Sequence, residues 1–373
     1  MTNQPQTHKY YPPRLTPAQI RLLERLCNAC AISGDEGEVR KIVLEQVRGY
    51  LKTSGRPGDV KTDALGNVLV TLPGKTSESV PRLRVMLDAH MDEVGFMITK
   101  DDGKGIFRFE IVGGIDLRQL PGKPVWIGEK HTPGAIGVKP IHLTRRDETK
   151  KLIDLDTLRI DAGPGSNSIK VGDRATFASS FTRLGPSLRG KALDDRLGVA
   201  ILIELIKTAP DNIDLLAAFT VQEEVGARGA KVAAYTFNPD LAIAIDSTPA
   251  YDLPTWDGSE NAVYNCRLGA GPAIYLADSA TLADPRLVRH LVDTAESLGI
   301  PYQIRQPGGG GTDAGAIHRQ RAGIPSISVS VPGRYHHSFA SISRLADWQN
   351  TLGLLQAALI HLPADLLSRD REQ

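Results

Sequence analysis

Asp214-Leu215-Leu216-Ala217-Ala218-Phe219-Thr220-Val221 runs directly into Gln222-Glu223-Glu224-Val225-Gly226. The apolar run is short enough for a strand, and its near-continuous apolar character suits a strand buried on both faces. Leu241 to Ile245 reads the same way and ends in Asp246-Ser247-Thr248. Around these strands lie helical patterns: Leu197 to Ile206, Pro285 to Leu298, and a closing helix from Leu345 to Leu362. Ser326 to Val331 adds a strand. Toward the N-terminus, Thr16-Pro17 with Gln19 forms a capping box that opens a helix, and Ser33-Gly34-Asp35-Glu36 reads as a second one. The second helix turns Val39, Val43, Val47 and Leu51 inward. Gly66 to Leu72 is a strand, and Arg84 to Ile98 is one long strand or two. Helices alternating with covered strands predict an α/β domain.

Between about Gly95 and Phe181 the pattern changes. Short β-like runs (Gly105 to Val112, Val125 to Ile127, Ala135 to Val138, Arg174 to Ala178) are separated by Gly, Pro and charged turns. This predicts an inserted all-β domain, a small barrel or sandwich. The expected organisation is α/β over residues 1–94, β insertion over 95–181, and α/β again over 182–373. A chain of 373 residues is long enough for this. Lys plus Arg number 44 against 43 for Asp plus Glu, a net charge of +1 that gives no electrostatic case for nucleic acid or a membrane surface. Three Cys argue against a secreted disulfide scaffold. The polar stretch from Met1 to Leu15 has no apolar signal region, and no apolar run reaches membrane-spanning length, so the expected address is cytoplasmic. Cys27-Asn28-Ala29-Cys30 is a CxxC. With no second one in the chain, it reads as packing on the stripe of Ile20, Leu23, Cys27 and Cys30, rather than as a metal or redox site.

Five places put His, Asp or Glu at a strand end or helix start, where an α/β sheet opens its ligand crevice. In Asp88-Ala89-His90-Met91-Asp92, His90 and Asp92 share a strand face, so one can ligate a metal while the other holds its ring. Asp194-Asp195 opens a helix, either capping it or bridging two metals. Glu223 and Glu224 are costly to bury without partners; one can ligate while the other takes a proton from water. Asp246 and the pair His336-His337 complete the pattern. One bridging carboxylate, plus a carboxylate and a His on each side, gives two metal sites with room for water. Such ligation suits zinc, with cobalt or manganese as alternatives, better than magnesium. Gly308 to Gly311, followed by Thr312 and Asp313, lacks the Lys-Ser/Thr of a phosphate loop; its glycines suit a substrate backbone passing closely.

The ordered set HMDEVG, ALDDR, QEEVGARGA, IDST, GGGTDAG and RYxHS resembles the glutamyl-aminopeptidase family of dizinc exopeptidases, which includes the TET and deblocking aminopeptidases. The resemblance runs from about Leu26 to Leu362. It implies an α/β fold whose mixed sheet carries helices on both faces, with the β insertion as a dimerisation domain. It implies that His90 and Asp246 bind one divalent ion, Glu224 and His337 a second, and Asp194 both, with a cis peptide between Asp194 and Asp195. Glu223 is then the general base acting on a two-metal-activated water, Asp92 holds His90, and Gly309, Gly310, Gly311, Thr312 and Asp313 lie beside the substrate. Peptide substrates, hydrolysis of their N-terminal residues, and dimers assembling into a dodecamer follow from the same resemblance. The chain departs from the family pattern at His336, where an apolar residue is usual, and at Ser341, where many relatives have Glu. The alternatives are a related zinc amidase or deacylase, and an endoglucanase-type glycoside hydrolase. Against the latter, aromatic residues make up only 5% of the chain, and Trp126, Trp256 and Trp348 are scattered. A peptide-binding protein without catalysis would lack a ligand or the base, and none is missing. Preference for an acidic, basic or neutral N-terminal residue is not legible.

Overall fold

The computed structural model describes residues 10, 12–75, 82–147, 150–255, 257–259 and 265–371; Trp256 and the first nine residues lie outside them. Helix α1 (Pro17–Asn28) starts as its capping box requires: Gln19 N donates to Thr16 Oγ1, and Thr16 N donates to Gln19 Oε1. Leu23 and Cys27 are buried on its inner face, but the helix ends before Cys30, which therefore leaves the expected stripe. Helix α2 (Gly37–Ser54) buries Val39, Val43 and Val47. The second capping box does not form. Ser33 Oγ donates instead to Asp92 Oδ2 at 2.5 Å, because a fully buried carboxylate has the stronger need for donors.

Strands β1 (Asp59–Thr62) and β2 (Val68–Leu72) pair antiparallel. The run from Arg84 to Ile98 divides into β3 (Leu83–His90) and β4 (Gly95–Gly103). The break falls where Arg196 Nη1 donates to the carbonyls of Met91 and Asp92, replacing ladder bonds with side-chain ones. Strands β4, β5 (Ile106–Val112), β6 (Pro124–Ile127), β7 (Thr132–Gly137), β8 (Arg159–Asp161) and β9 (Arg174–Phe177) close into a barrel in the order β4-β5-β8-β7-β6-β9. Alternation sends Phe96, Ile98, Phe107, Phe109, Val125 and Phe177 inward, and Phe96 meets Phe109 and Phe177 edge to face at 5.2 Å.

The chain then returns to the first sheet. It adds β10 (Thr182–Leu184), β11 (Ser187–Gly190), α3 (Leu193–Lys207), β12 (Ile213–Thr220), α4 (Arg228–Phe237) and β13 (Leu241–Pro249). There follow β14 (Ala273–Tyr275), α5 (Pro285–Leu298), β15 (Gln303–Arg305), α6 (Ala314–Ile317), β16 (Ser326–Arg334), β17 (Ser341–Arg344) and α7 (Leu345–Ile360). The sheet order is β1-β2-β12-β3-β13-β16-β17-β11-β10, with β14 and β15 joined beside β16. Its centre, β12-β3-β13-β16, is parallel, and both flanks are antiparallel. Successive residues serve opposite faces: Val85, Leu87, Leu215 and Ala217 pack under α1, α2, α3, α5 and α7, whereas Met86, Leu216, Ala218 and Ala242 pack under α4 and α6. The architecture is thus a mixed sheet with helices on both faces and a small inserted barrel.

Candidate active site

The four central parallel strands all point their C-terminal ends at one crevice. β3 ends in His90, and β12 leads into Glu223 and Glu224. β13 carries Asp246, and the turn after β16 carries His336 and His337. Asp194 enters from the start of α3, next to a cis peptide joining it to Asp195.

Two donor groups share Asp194: His90, Asp194 and Asp246, and Asp194, Glu224 and His337, with the ligand atoms of each group within 4.8 Å of one another. Asp194 divides its oxygens between them. Oδ1 lies 3.2 Å from His90 Nε2, and Oδ2 lies 3.4 Å from His337 Nε2. Asp246 Oδ1 is 3.7 Å from His90 Nε2, and Glu224 Oε2 is 3.2 Å from His337 Nε2. Both imidazoles present Nε2 because Nδ1 is engaged elsewhere. His337 Nδ1 donates to Gly114 O at 2.8 Å, and His90 Nδ1 lies 3.1 Å from Asp92 O and 3.5 Å from Asp92 Oδ1. Asp92 also accepts from the backbone N–H groups of Glu223 (3.0 Å) and Glu224 (3.2 Å), so one buried carboxylate fixes the ring and the turn carrying both glutamates.

Burial pushes Glu223 well above the usual carboxylate range, with the charge of His90 opposing and Asp313 and Asp246 reinforcing. Burial likewise pushes Asp246 up to about 7, against the opposing contact with His90. Burial works to raise Asp194 too, but its bonds to His337 and His90 hold it well below the usual range. Burial alone would lower His337, yet Asp194 and Glu224 push it up to about 11. This crowd of carboxylates around two imidazoles is matched by mixed N/O ligation of divalent cations, so the donor set fits a two-ion centre. Glu223 belongs to neither donor group, and its side chain lines the same cavity, of about 870 Å³.

Gly309, Gly310, Gly311 and Thr312 form part of that cavity's wall. Asp313 lies behind it, accepting from Thr220 Oγ1 at 2.6 Å and facing Asp88. The side chain of His336 is 6% exposed and shares the cavity wall, with Nδ1 3.3 Å from Ser247 Oγ and 3.8 Å from Asp194 Oδ2, whereas His337 is the one that brings Nε2 to both Asp194 and Glu224. Sequence reasoning missed Ser33 on Asp92, the Gly114 carbonyl on His337, and Asp116 and Gln119, which reach the cavity from the barrel segment. Gly114 is 223 residues from His337, and no local pattern announces such a contact.

Residues 66–354 match the family model described as M42 glutamyl aminopeptidase. A glutamyl aminopeptidase of Lactococcus lactis subsp. cremoris is 31% identical over 350 residues, 89% of this chain and 93% of its own. A lysyl aminopeptidase of Pyrococcus furiosus is 30% identical over 357 residues, 91% of this chain and 96% of its own. Among solved structures, the Pyrococcus horikoshii TET1 peptidase is described as able to assemble into a tetrahedron or a large octahedral shell. It superposes with a TM-score of 0.79 at 34% identity, over 92% of this chain and 100% of that one.

Proposed function

The chain belongs to the M42 glutamyl aminopeptidase family and is a hydrolase of the aminopeptidase kind, and from that premise we propose that it removes N-terminal residues from peptides at a two-metal centre. The observation that carries the reading is Asp194, which turns one oxygen toward each of two His–carboxylate pairs. In this reading His90 and Asp246 hold one ion, Glu224 and His337 the other, and Asp194 both. The ions are zinc, with cobalt or manganese as alternatives. When bound, two such ions polarise the scissile carbonyl and lower the pKa of the attacking water.

Glu223 takes the proton of that water and passes it to the leaving amine; its raised affinity for a proton suits both halves of the transfer. Asp92 is a positioning residue, acting through His90 and the backbone of Glu223 and Glu224. The free amine of the substrate is held near the carboxylates, and its backbone runs along Gly309 to Gly311.

Assembly through the barrel is part of the same reading. Val138, Ile141, Leu143 and Leu152 are large apolar side chains left exposed on the insertion, which supports an interface there. Dimers would build a dodecamer resembling the closed particles of relatives. Among the described residues no helix is long and apolar enough to cross a membrane, and we place the enzyme in the cytoplasm.

The test is a panel of aminoacyl-nitroanilides, free and N-acylated, assayed after chelation and after return of zinc, cobalt or manganese in turn. Turnover should be confined to free amines and should vanish and return with metal. Full turnover by metal-free protein would remove the two-ion reading, and equal turnover of N-acylated substrates would make the enzyme an amidase.

A further inference from the structure

We propose that Cys30, Glu38 and His131 form a third divalent-metal site, separate from the two-ion centre, that ties the barrel to the α/β domain. Cys30 lies just beyond α1, Glu38 sits in the first turn of α2, and His131 belongs to the turn between β6 and β7. They come from three separate segments and two domains, yet one ligand atom from each lies within 4.8 Å of the others.

The carboxylate of Glu38 organises the group. Its Oε2 accepts from Cys30 N at 2.9 Å, and its Oε1 lies 2.5 Å from His131 Nε2. His131 holds its place in an unusual way. Its φ of +49° lies in the left-handed region, where a side chain is uncommon, and the turn closes with His131 N donating to Gly128 O at 3.0 Å. A glycine would serve that backbone better; instead the position delivers an imidazole to Glu38. Cys27, the other member of the CxxC, is not part of the group. It is fully buried within α1.

Sulfur, nitrogen and oxygen donors in one trio select a metal of intermediate softness. Zinc accepts all three and is satisfied by three protein ligands plus water, whereas magnesium and calcium avoid thiolate. Beside the trio is a cavity of about 310 Å³, whose wall includes Cys30, Glu38, Asp35 and Glu129, and also Lys41 and Arg174. Charges of both signs line it, so a cation is held by coordination and not by a general negative field. A metal here would fasten the β6–β7 turn to α2. The same insertion supplies Gly114, Asp116 and Gln119 to the active cavity, so the clamp would fix that cavity's outer wall.

The experiment uses the full-length protein, reduced, stripped of metal and titrated with Co²⁺. The two-ion centre contains no sulfur, so a thiolate-to-cobalt charge-transfer band reports the new site alone, whatever happens at the other. The band should develop together with one bound equivalent beyond those of the two-ion centre. Cys30→Ser should abolish the band and that equivalent, and leave aminoacyl-nitroanilide turnover in place. Cys27→Ser should keep the band. His131→Ala, which truncates a partly exposed side chain, should shift the titration of the band to higher cobalt. Absence of the band at saturating Co²⁺, or its survival in Cys30→Ser, would overturn the proposal.

Discussion

Glu93 offers the sharpest test of how the catalytic loop is held. Its carboxylate is 3% exposed and sits between two cations that are themselves buried, Lys191 at 5% and Arg196 at 0%. Lys191 Nζ lies 2.5 Å and 2.7 Å from its two oxygens, and Arg196 Nη2 lies 3.2 Å from Oε1. Ala31 N and Thr176 Oγ1 donate as well, so one side chain joins the end of α1, the loop carrying Asp92, the start of α3 and barrel strand β9. Glu93→Gln keeps the volume and removes the charge. Two buried cations would then face an amide, and the amide N–H₂ would point at a donor. Removing one partner of a buried ion pair costs about 3–5 kcal/mol, chiefly through the charge left behind. With about 2.1 cal/mol/K of unfolding entropy per residue, a chain of 373 residues shifts Tm by roughly 1.3 °C per kcal/mol, so Tm should fall by roughly 4–6 °C. Thermal and urea unfolding at fixed metal concentration would measure it. Adding Lys191→Met removes one surplus cation, so the double variant should be more stable than additivity allows, by roughly 0.5–3 kcal/mol. A Glu93→Gln protein within about 1 kcal/mol of the parent, with no coupling to Lys191, would refute the reasoning.

Glu223→Gln should lower kcat by roughly 10²–10⁴-fold with metal content unchanged, whereas Glu224→Gln should lose one ion and regain part of its activity with added metal; elemental analysis beside kinetics decides, and the opposite pattern reverses the two roles. Burial pushes Asp347 up to about 6, above its unfolded value of about 3.9. The native state therefore holds an extra proton in that window, and this contribution is present below about pH 4 and lost as pH rises through about 6. Urea midpoints compared across that window should show a decline that flattens in Asp347→Asn. Replacing Ile141 and Leu143 together by Asp should reduce the particle seen by light scattering, and an unchanged size would take that face of the barrel out of the interface.

The central parallel strands were legible because each is a short apolar run with nowhere to be exposed, and β12 and β13 needed little more than their length, whereas short polar strands such as β1, β10 and β17 carry no such run. Helix α4 was not. Its buried residues include Gly229, Ala230, Ala233 and Ala234, small side chains that signal burial weakly. They are small because the helix sits tight on the sheet: a Cβ on Gly229 would lie 2.4 Å from Asn67 Oδ1 and Val221 O. Ser33 misled because its spacing to Glu36 fits a helix cap, and the stronger acceptor, Asp92, is 59 residues away. At the site, strand-end positions flagged His90, Glu223, Glu224, Asp246 and the pair His336-His337 without alignment, and the family resemblance chose His337. Spacing did not say which glutamate lies by a histidine; the fold does, by bringing Glu224 to His337. Glu93 went unremarked beside Asp92, since its partners lie about a hundred positions downstream.

The barrel's first strand, β4, pairs with its last, β9, through Phe96↔Ala175 and Met97↔Arg174. That closure bears on the order of folding. Strands β3 and β12 must find each other in parallel register, Leu83 against Ile213 and His90 against Thr220, across everything between them. For a flexible intervening chain the entropy of that search grows with the logarithm of its length. Once β4 and β9 have met, the two ends of the insertion are neighbours, and the effective loop is far shorter than the sequence suggests. A barrel formed early would thus deliver β3 to its partners, whereas a barrel formed late would leave two exposed parallel edges waiting. Refolding of this chain should therefore be governed less by its length than by how soon β4 closes on β9.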